Sequence, residues 1–511
     1  MRLLNWGVAA ALFYSTAVLA RGPIVQLQSG RIEGSVQNGV DRFLGIPYAR
    51  PPVGTLRWQR PLSAKPWQGI KQTTTFGPSC LQTPLKGDAA PLPPRYSEDC
   101  LTLNVWRPSQ IQQRMPVMVW IHGGGFVNGG SAAIVYAGRS FARQGIVFVS
   151  INYRLGRLGF FAHPALTNNL FHGNYGLMDQ IKALRWVQDN IISFGGDPSN
   201  VTLFGESAGG FSVHALLTSH YSRDLFNKAI IESGGGRVNI NGDYPWNKAV
   251  QTGLAFAKAH GISGSGADAL AKLRALPAKM VAGDINMWNM GAQRATYSGP
   301  MMDGHVMTEN PEKAYQAGDF AHIPILVGAN SFDLGFVMRH YKNRADIFKQ
   351  FGKQAAQAAH AYANVHPLKA LAYRIAMQKM MIEPARFVAQ EFAKQHVPVW
   401  EYRFGYVAKS RQDQWPGAVH ASEIPYVFNT LNATYADKVT ASDQQMATLI
   451  HQYWVNFAKT GNPNGKGLAN WPQYSLKKDQ LMWFSPKGAE NSHAVRDPQQ
   501  SQLDLVQLLQ P

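Results

Sequence analysis

The sequence is short of several features that mark common functional classes. Beyond its first twenty positions it has no run of about twenty apolar residues, no internal repeat and no long run of Lys or Arg. It also has neither a cluster of metal-ligating residues nor a phosphate-binding loop with its lysine. These absences argue against a membrane span, a repeat architecture and a nucleic-acid partner, and we expect no metal or organic cofactor.

Acidic residues are also scarce. The chain has 31 Asp and Glu residues against 49 Lys and Arg residues, a formal net charge of +18 at pH 7. Because the basic residues form no long run, we interpret them as a solvated surface, with an anionic surface partner as the alternative. The hydrophobic fraction of 45% is typical of a globular protein and argues against disorder.

The first twenty residues have the pattern of a secretory signal peptide. Arg2 supplies a positive charge, residues 7–14 form a short apolar core, and small residues up to Ala20 fit a cleavage site after that position. We therefore predict an exported protein, periplasmic or secreted, without a membrane span. In an oxidising compartment the two cysteines, Cys80 and Cys100, can form a disulfide; two free thiols are the alternative.

Apolar strand-like runs alternate with helical patterns through the first half of the chain. MPVMVWIHGGG, GIVFVSINYR, NVTLFGES and FNKAIIESGG are typical of strands, whereas GLMDQIKALRWVQDNI and AGGFSVHALLTS have helical spacing. This alternation predicts an α/β protein with a mostly parallel sheet and helices on both faces. Several strands end in glycines, at the edge where such sheets place their sites.

The pattern becomes mainly helical between about residues 241 and 395, with a break at IPILVGANSFDLG. We interpret this range as a helical cap laid over the sheet. The strand VPVWEYRF and the helix QQMATLIHQYWVNFAKTG then complete the core. Because no Pro- or Ser-rich linker separates these parts, we expect residues 21–511 to form a single domain with a cap insertion.

The stretch GESAG, residues 205–209, matches the G-x-S-x-G motif of a serine nucleophile. A strand-like run precedes it and a helical pattern follows it, which is the context that the motif requires. The small flanking residues permit a sharp turn that exposes the Ser207 oxygen, and they place the Ala208 N–H at a helix start, where it can donate to an oxyanion. The alternative is a glycine-rich turn between a strand and a helix.

A second glycine-rich turn favours the nucleophile over a plain turn. HGGGF, residues 122–126, follows an earlier strand and lies about eighty residues before Ser207, which is the arrangement of lipases and esterases. Because Gly124 and Gly125 have no side chains, their N–H groups can turn inward as further oxyanion donors. Together the two turns predict acyl-transfer chemistry.

These motifs resemble those of the type B carboxylesterases, the family that includes cholinesterases and bacterial p-nitrobenzyl esterases. FGGDPSNVTLFGESAG resembles the family's serine signature, and EDCLTLNVWRP resembles its second signature, around the first disulfide. FLGIPYARPPVGTLRW, INYRLGRLGFF, GNYGLMDQ and FAKTGNPN extend the similarity from about residue 43 to residue 464. The resemblance implies an α/β-hydrolase fold and a serine esterase that acts on small-molecule esters through an acyl-enzyme.

The resemblance also implies an acid and a histidine after the serine. AVHASEIPYVF is similar to the family's histidine loop and gives His420. The family usually has Glu in a pattern like G-x-N-x-D-E-G, whereas GANSFDLG here places Asp333 at the acid position. An aspartate is one methylene shorter, so its loop has to approach the histidine more closely. Asp303 and Asp319 are the alternative acids.

Further expectations of structural or tuning roles rest on the resemblance alone. Glu206, next to the nucleophile, is expected to face the site and to tune His420 electrostatically. Ser233 is expected near the floor of the site, and neither residue is a predicted triad member. The expected ion pairs are Arg57–Glu98 and Arg154–Asp179.

Other functions are weighed against hydrolysis. Relatives such as neuroligin-like adhesion domains keep the fold, lose the serine and only bind partners, but Ser207, Asp333 and His420 are all present here. Acyl transfer or lactone hydrolysis on the same residues is another alternative. A cholinesterase is disfavoured because the loop 80–100 lacks the Trp that stacks choline. Five large cap side chains are candidates either for the pocket or for the core: Trp246, Met287, Trp288, Met290 and Phe336.

Overall fold

The computed structural model describes residues 22–111, 113–167, 172–238, 244–337 and 339–510. The predicted signal peptide, residues 1–20, and the first positions of the predicted cap lie outside these ranges. Within them, no helix is both long enough and apolar enough to cross a bilayer.

Strands and helices alternate along the described residues, which form eighteen strands and sixteen α-helices. The strands are β1 (Ile24–Leu27), β2 (Gly30–Glu33), β3 (Ser35–Gln37), β4 (Val40–Pro47), β5 (Ile70–Gln72), β6 (Ser79–Cys80), β7 (Tyr96–Ser97), β8 (Thr102–Pro108), β9 (Met115–Ile121), β10 (Val147–Ile151), β11 (Phe160–Phe161), β12 (Gly173–Asn174), β13 (Gly196–Glu206), β14 (Lys228–Glu232), β15 (Ile325–Asn330), β16 (Val399–Phe404), β17 (Gln480–Phe484) and β18 (His493–Arg496). The helices are α1 (Arg139–Arg143), α2 (Gly156–Gly159), α3 (Tyr175–Asn190), α4 (Ala208–Thr218), α5 (Trp246–Ala259), α6 (Ala267–Ala275), α7 (Ala278–Ala282), α8 (Pro311–Ala317), α9 (Arg344–Phe348), α10 (Ala355–Ala361), α11 (Leu368–Met377), α12 (Glu383–Lys394), α13 (Ile424–Val427), α14 (Asn432–Tyr435), α15 (Ala441–Thr460) and α16 (Gln500–Gln507).

Eleven strands form one central sheet, in the order β18-β17-β16-β15-β14-β13-β9-β10-β8-β4-β3. The strands from β17 to β10 in this order are parallel to their neighbours, and antiparallel pairs flank them at both edges. The predicted mostly parallel sheet is therefore confirmed. The carboxyl ends of β9, β13, β14 and β15 meet at one edge of the sheet, which is where an α/β protein builds its site.

Apolar cores lie on both faces of the sheet. Successive side chains of β9 point to opposite faces: Val117 and Val119 belong to one buried cluster, and Met118 and Trp120 belong to another. Helices α3, α4 and α12 contribute to the first cluster, whereas α1 and α15 contribute to the second. The predicted helices on both faces are thus confirmed.

Strand β15 interrupts the range that the sequence predicts as a cap. It pairs with β14 and β16 in the central sheet, and α12 packs against β15 and β16. Before β15, α5 contacts β11 and α7 contacts α2. After β15, helices α9, α10 and α11 share a small apolar core that includes Ile347, Phe351 and Leu371.

Two ion pairs expected from the family resemblance are confirmed. Arg57 and Glu98 form a two-pronged pair with N–O distances of 2.5 and 2.9 Å, and Arg57 also donates to the carbonyl of Leu276. Arg154 and Asp179 form a second two-pronged pair at 2.7 and 2.8 Å. Both pairs are largely buried, so removing one partner would leave a charge without compensation.

A disulfide joins Cys80 to Cys100 across 20 positions of the chain. The loop that it closes reaches the residues after β9, because the Gln82 side chain donates to Gly129 O at 2.7 Å and accepts from Gly129 N at 2.9 Å. The covalent bond therefore restrains a loop that borders the candidate site.

Candidate active site

Ser207 occupies a strained turn between β13 and α4. Its φ and ψ angles are 56° and −123°, which a residue with a side chain rarely adopts. Close packing explains the glycines around it: a Cβ atom on Gly209 would lie 2.0 Å from Ile121 O, and one on Gly205 would lie 2.6 Å from the Gly209 carbonyl carbon. The turn therefore requires small flanking residues.

His420 lies between Ser207 and Asp333. Its Nε2 atom is 2.9 Å from Ser207 Oγ, and its Nδ1 atom is 2.6 Å from Asp333 Oδ1. The three side chains come from positions separated by 213 and 87 residues in the chain. The structure thus brings together the nucleophile, the base and the acid that the sequence predicts.

The loop after β15 is joined directly to the loop of His420. Phe332 N donates to Ala418 O at 2.9 Å, and Ala418 N donates to Ser331 Oγ at 3.0 Å. These bonds hold the shorter aspartate side chain within reach of the imidazole.

Asp333 is fully buried and accepts four hydrogen bonds. Its Oδ2 atom accepts from Ser233 Oγ and Asn330 N at 2.7 and 2.8 Å, and its Oδ1 atom accepts from Leu334 N and from His420. Burial raises the pKa of this carboxyl, but the imidazole charge and the hydrogen bonds outweigh burial, so the pKa lies below its ordinary value. The carboxylate is therefore ionised at neutral pH.

Ser233, which follows β14, supports this acid. Its backbone has a φ angle of 46°, and its N–H donates to Gly328 O at 2.9 Å. Ser233 is fully buried, and its hydroxyl donates to Asp333 Oδ2. Ser233 thus orients Asp333, and its backbone N–H belongs to the same peptide as Glu232 O, which accepts from Ser207 N at 3.0 Å.

Glu206 faces the same imidazole nitrogen as the nucleophile. Its Oε1 atom is 3.2 Å from His420 Nε2, and its side chain is 3% exposed. Burial raises the pKa of Glu206 well above its ordinary value, although the imidazole charge opposes the shift. Burial lowers the pKa of His420, but Glu206 and Asp333 outweigh burial and raise it above the ordinary histidine value. The pair therefore takes up a proton at a higher pH than an isolated histidine.

Gly124, Gly125 and Ala208 lie beside the nucleophile. The N–H groups of Gly124 and Gly125 donate no backbone hydrogen bond within the described chain, and Ala208 is the first residue of α4, whose N–H has no intrahelical acceptor. A Cβ atom on Gly123 would lie 3.0 Å from Ser207 Cβ. These three N–H groups therefore have no backbone acceptor in the described chain, and Gly124, Gly125 and Ser207 border one cavity.

His122 fixes the peptide between Gly123 and Gly124. The ring is buried, and burial lowers its pKa to about 4, although its hydrogen bond to Gly123 opposes the shift. The imidazole is therefore neutral at pH 7, with its proton on Nδ1, which donates to Gly123 O at 2.8 Å. The Gly124 N–H, on the other side of the same peptide, points away from that carbonyl.

A cavity of about 270 Å³ opens onto Ser207 and His420. Of the five large cap side chains, four line this cavity: Met287, Trp288, Met290 and Phe336. Trp288 is 78% exposed at the mouth. Trp246 packs instead against the His172 ring, with the ring centroids 4.2 Å apart. The cap segment 287–290 is therefore a wall of the cavity.

The two alternative acids lie elsewhere. Asp303 is buried and accepts from Asn174 Nδ2, His305 N and Met307 N at 2.9 Å each. Asp319 is on the surface. Neither contacts His420 in the described parts of the chain.

Two polar residues of the site, Asp88 and Asn128, belong to none of the motifs found in the sequence, and Glu423, within AVHASEIPYVF, carried no predicted role. Asp88 lines the cavity from the disulfide loop, and burial raises its pKa. Glu423 is buried behind the imidazole, accepts from Asn330 Nδ2 at 2.5 Å, and has a pKa that burial raises to about 7. Asn128 lies in the glycine-rich loop and is fully buried. The sequence signal that could have identified Asn128 is its place as a polar residue within FVNGG, next to the glycine-rich turn.

The described residues contain no group of three or more His, Cys, Asp or Glu side chains placed to hold a metal ion. The chemistry that the arrangement supports comes from the serine, the imidazole, the carboxylates and the backbone N–H groups. This set is typical of a serine hydrolase.

Comparison with known proteins places the chain in a family. A sequence profile of the carboxylesterase family matches residues 21–503. The chain is 36% identical over 467 residues to para-nitrobenzyl esterase of Bacillus subtilis (strain 168), over 88% of this chain and 92% of that protein. It is 36% identical over 486 residues to fumonisin B1 esterase of Sphingopyxis macrogoltabida, over 90% and 86% of the two chains. Carboxylesterase 1C of Rattus norvegicus is 32% identical over 504 residues, with 90% and 89% covered.

Solved structures agree with the sequence comparison. One structure of a PNB esterase matches with a TM-score of 0.80 at 32% identity, over 96% of this chain and 99% of that chain. A second matches with a TM-score of 0.78 at 33% identity, over 94% and 99% of the chains. The fold is that of the α/β-hydrolases. The chain belongs to the carboxylesterase family and is a hydrolase that acts on carboxylic esters.

Proposed function

We propose that the chain hydrolyses small-molecule carboxylic esters through a Ser207–His420–Asp333 triad and an acyl-enzyme. The observation that carries the proposal is the position of the His420 ring, with one nitrogen 2.9 Å from the serine oxygen and the other 2.6 Å from the carboxylate. A nucleophile, a base and an orienting acid in this relation are the parts that serine hydrolysis needs.

In the first half-reaction Ser207 Oγ attacks the ester carbonyl carbon while His420 Nε2 takes the hydroxyl proton. The bond to the alcohol oxygen then breaks, and the imidazolium gives that proton to the leaving group. In the second half-reaction water loses a proton to the same nitrogen and attacks the acyl carbon. The acid leaves as the proton returns to Ser207 Oγ. Asp333 stays ionised throughout and stabilises the imidazolium.

The negative charge on the former carbonyl oxygen is received by the N–H groups of Gly124, Gly125 and Ala208. Their lack of acceptors supports this role, because donors that are already oriented do not have to reorganise when the charge develops. The cavity walls exclude water around the oxyanion and strengthen each hydrogen bond.

The test is ester turnover by the purified protein and two serine variants. Ser207→Ala should lose about six decades of turnover, as removal of the nucleophile does in comparable triads, with an unchanged melting temperature. Ser212→Ala removes a buried serine one turn further along α4, whose hydroxyl contacts Gln180 and Ala208 O, and should remain active. Ester turnover that survives in the Ser207 variant would refute the proposal.

We also propose that the protein is exported and loses its first twenty residues. The signal-peptide pattern supports this, as does the disulfide, since such bonds persist in oxidising compartments. Fractionation of expressing cells followed by N-terminal sequencing should find a mature chain that begins at Arg21. A full-length chain in the cytoplasm would contradict export.

A further inference from the structure

Asn128 lies at the end of the loop that carries Gly124 and Gly125. Its side chain is fully buried, and a buried amide needs partners for both its nitrogen and its oxygen. The Nδ2 atom donates to Thr83 O at 2.8 Å, and the Oδ1 atom accepts from Met287 N at 3.0 Å. One amide therefore joins the glycine-rich loop, the disulfide loop and the cap segment that walls the cavity.

The backbone of Asn128 fixes a peptide of the glycine-rich loop. Its N–H donates to Gly124 O at 2.8 Å, and Val127 N donates to the same oxygen at 3.1 Å. Gly124 O and Gly125 N belong to one trans peptide, in which the C=O and N–H groups point in opposite directions. Holding the carbonyl toward Asn128 therefore turns the Gly125 N–H to the other side. Gly125 and Ser207 both border the cavity.

The contact leaves this loop little freedom to move. A Cβ atom on Gly124 would lie 2.2 Å from Asn128 O, so the two backbone segments are already in close contact. On the far side of Asn128, the Gln82 side chain holds both the N–H and the C=O of Gly129. Any shift of the Asn128 side chain is thus passed to the Gly124–Gly125 peptide rather than absorbed by the loop.

We propose that Asn128 is a positioning residue that holds the Gly125 N–H in the orientation that receives the oxyanion. The inference rests on the proposed esterase function and adds a residue to it. Asn128 does not line the cavity, so it acts through the peptide and not on the substrate. Its loss should lower kcat and leave KM nearly unchanged, because an oxyanion donor acts chiefly in the transition state.

The main variant is Asn128→Leu, which keeps the side-chain volume and removes the side-chain hydrogen bonds to Gln82, Thr83 and Met287. Its matched control is Asn152→Leu. Asn152 is also a buried asparagine that links this part of the chain to the disulfide loop, accepting from Ser131 N and donating to Cys100 O, but it does not contact Gly124. Gln82→Leu is a second variant at a half-buried position, which loosens the same loop if Asn128→Leu does not fold.

Two inhibitors separate the proposed role from general damage to the fold. A trifluoromethyl ketone forms a tetrahedral adduct on the serine with an oxyanion, whereas a carboxylate product binds without one. We expect Asn128→Leu to lower kcat about 10- to 100-fold, a partial loss of one oxyanion donor. The ketone should bind weaker by the same factor, and the product should bind within about twofold of wild type. Asn152→Leu should lower the melting temperature but preserve kcat and ketone affinity. Gln82→Leu should lower kcat several-fold.

Besides kinetics and inhibitor binding, hydrogen exchange tests the inference without requiring ester turnover. Hydrogen exchange followed by mass spectrometry should show faster exchange of residues 127–129 in Asn128→Leu and not in Asn152→Leu, because these N–H groups are held by the loop contacts. Wild-type kcat in Asn128→Leu, or an equal kcat loss in Asn152→Leu, overturns the inference. Wild-type kcat in Gln82→Leu overturns it where the main variant does not fold. A wild-type protein that hydrolyses no ester refutes the proposed function instead, and the exchange data then still decide whether Asn128 anchors the loop.

Discussion

Glu206 Oε1 lies 3.2 Å from His420 Nε2, the same nitrogen that lies 2.9 Å from Ser207 Oγ. The base of the proposed triad therefore has a carboxyl group on each side, Glu206 at Nε2 and Asp333 at Nδ1. Both carboxyls favour the imidazolium over the neutral ring. Since catalysis begins with a neutral imidazole, this arrangement ties the activity to pH.

Glu206→Gln should move the acid limb of the pH–rate profile to lower pH. A negative neighbour stabilises the imidazolium and raises the pKa of His420, so its removal lowers the pH at which the ring becomes neutral. A charge at this distance shifts a pKa by about 1 to 3 units. We therefore expect the acid limb of the kcat/KM profile, measured between pH 5 and 9, to move down by at least about one pH unit. The control is Glu423→Gln. Because Glu423 lies farther than Glu206 from His420 Nε2, this variant should shift the profile less. An unchanged or upward shift in Glu206→Gln would contradict the electrostatic role.

Asp333→Asn should lower turnover by about four decades with the fold kept. The amide removes the charge that stabilises the imidazolium and favours the wrong tautomer of His420. Asp319→Asn, on the surface, is the matched control and should stay active. Asp303→Asn should lower stability, since Asp303 accepts three hydrogen bonds, but not the chemistry. Asp333→Glu restores the commoner family residue in a loop fitted to the shorter side chain, so we expect partial activity.

The measurement for these variants is turnover of one short-chain ester near pH 8, with melting temperatures as the check on folding. Near-wild-type turnover in Asp333→Asn, together with loss of turnover in Asp303→Asn or Asp319→Asn, would assign the acid elsewhere. If every variant lost both its turnover and its melting transition, the variants would be unfolded. Partial turnover in Asp333→Glu would then be the result that supports Asp333 as the acid.

The parts of the site that the sequence could predict are those with local signals. Ser207 follows a strand and precedes a helix within one motif, and the glycines that its turn requires are adjacent in the chain. His420 and Asp333 follow from resemblance and not from composition or periodicity. Their 2.6 Å contact depends on two loops that meet only in the fold.

The remainder depends on contacts between distant residues. Asn128 forms hydrogen bonds with partners 45 and 159 positions away in the chain. The local sequence around Asn128 does not predict these partners. The same holds for the cap. The sequence pattern predicts a mainly helical range that includes α12, but it does not say that the apolar face of α12 packs on β15 and β16 rather than on other cap helices. Sequence periodicity gives the face of a helix and not the surface that covers it.

The disulfide should stabilise the protein and support activity indirectly. Closing a loop of this length contributes about 3 kcal/mol by restricting the unfolded chain. A Cys80→Ala/Cys100→Ala double variant should therefore unfold at lower denaturant concentration. It should also lose activity before the global transition, because Gln82 and Thr83 contact the glycine-rich loop. Thiol titration of the unreduced, denatured wild-type protein should find no free thiol, and two per chain would rule out the bond.

Met290→Ala should shift the ester preference toward bulkier substrates. The cavity is only about 270 Å³, and Met290 Sδ would lie 3.3 Å from a Cβ atom on Gly125, so this side chain limits the space next to the proposed oxyanion hole. Each methylene of substrate that enters an apolar space gains about 0.8 kcal/mol, or roughly fourfold in kcat/KM. The ratio of kcat/KM for a hexanoate ester to that for an acetate ester should therefore rise about tenfold or more. The control is Met280→Ala, an exposed methionine in α7, which should leave the ratio unchanged. An unchanged ratio in a folded Met290 variant would contradict the prediction. It would mean that the acyl chain lies against another wall of the cavity, such as the one formed by Phe336.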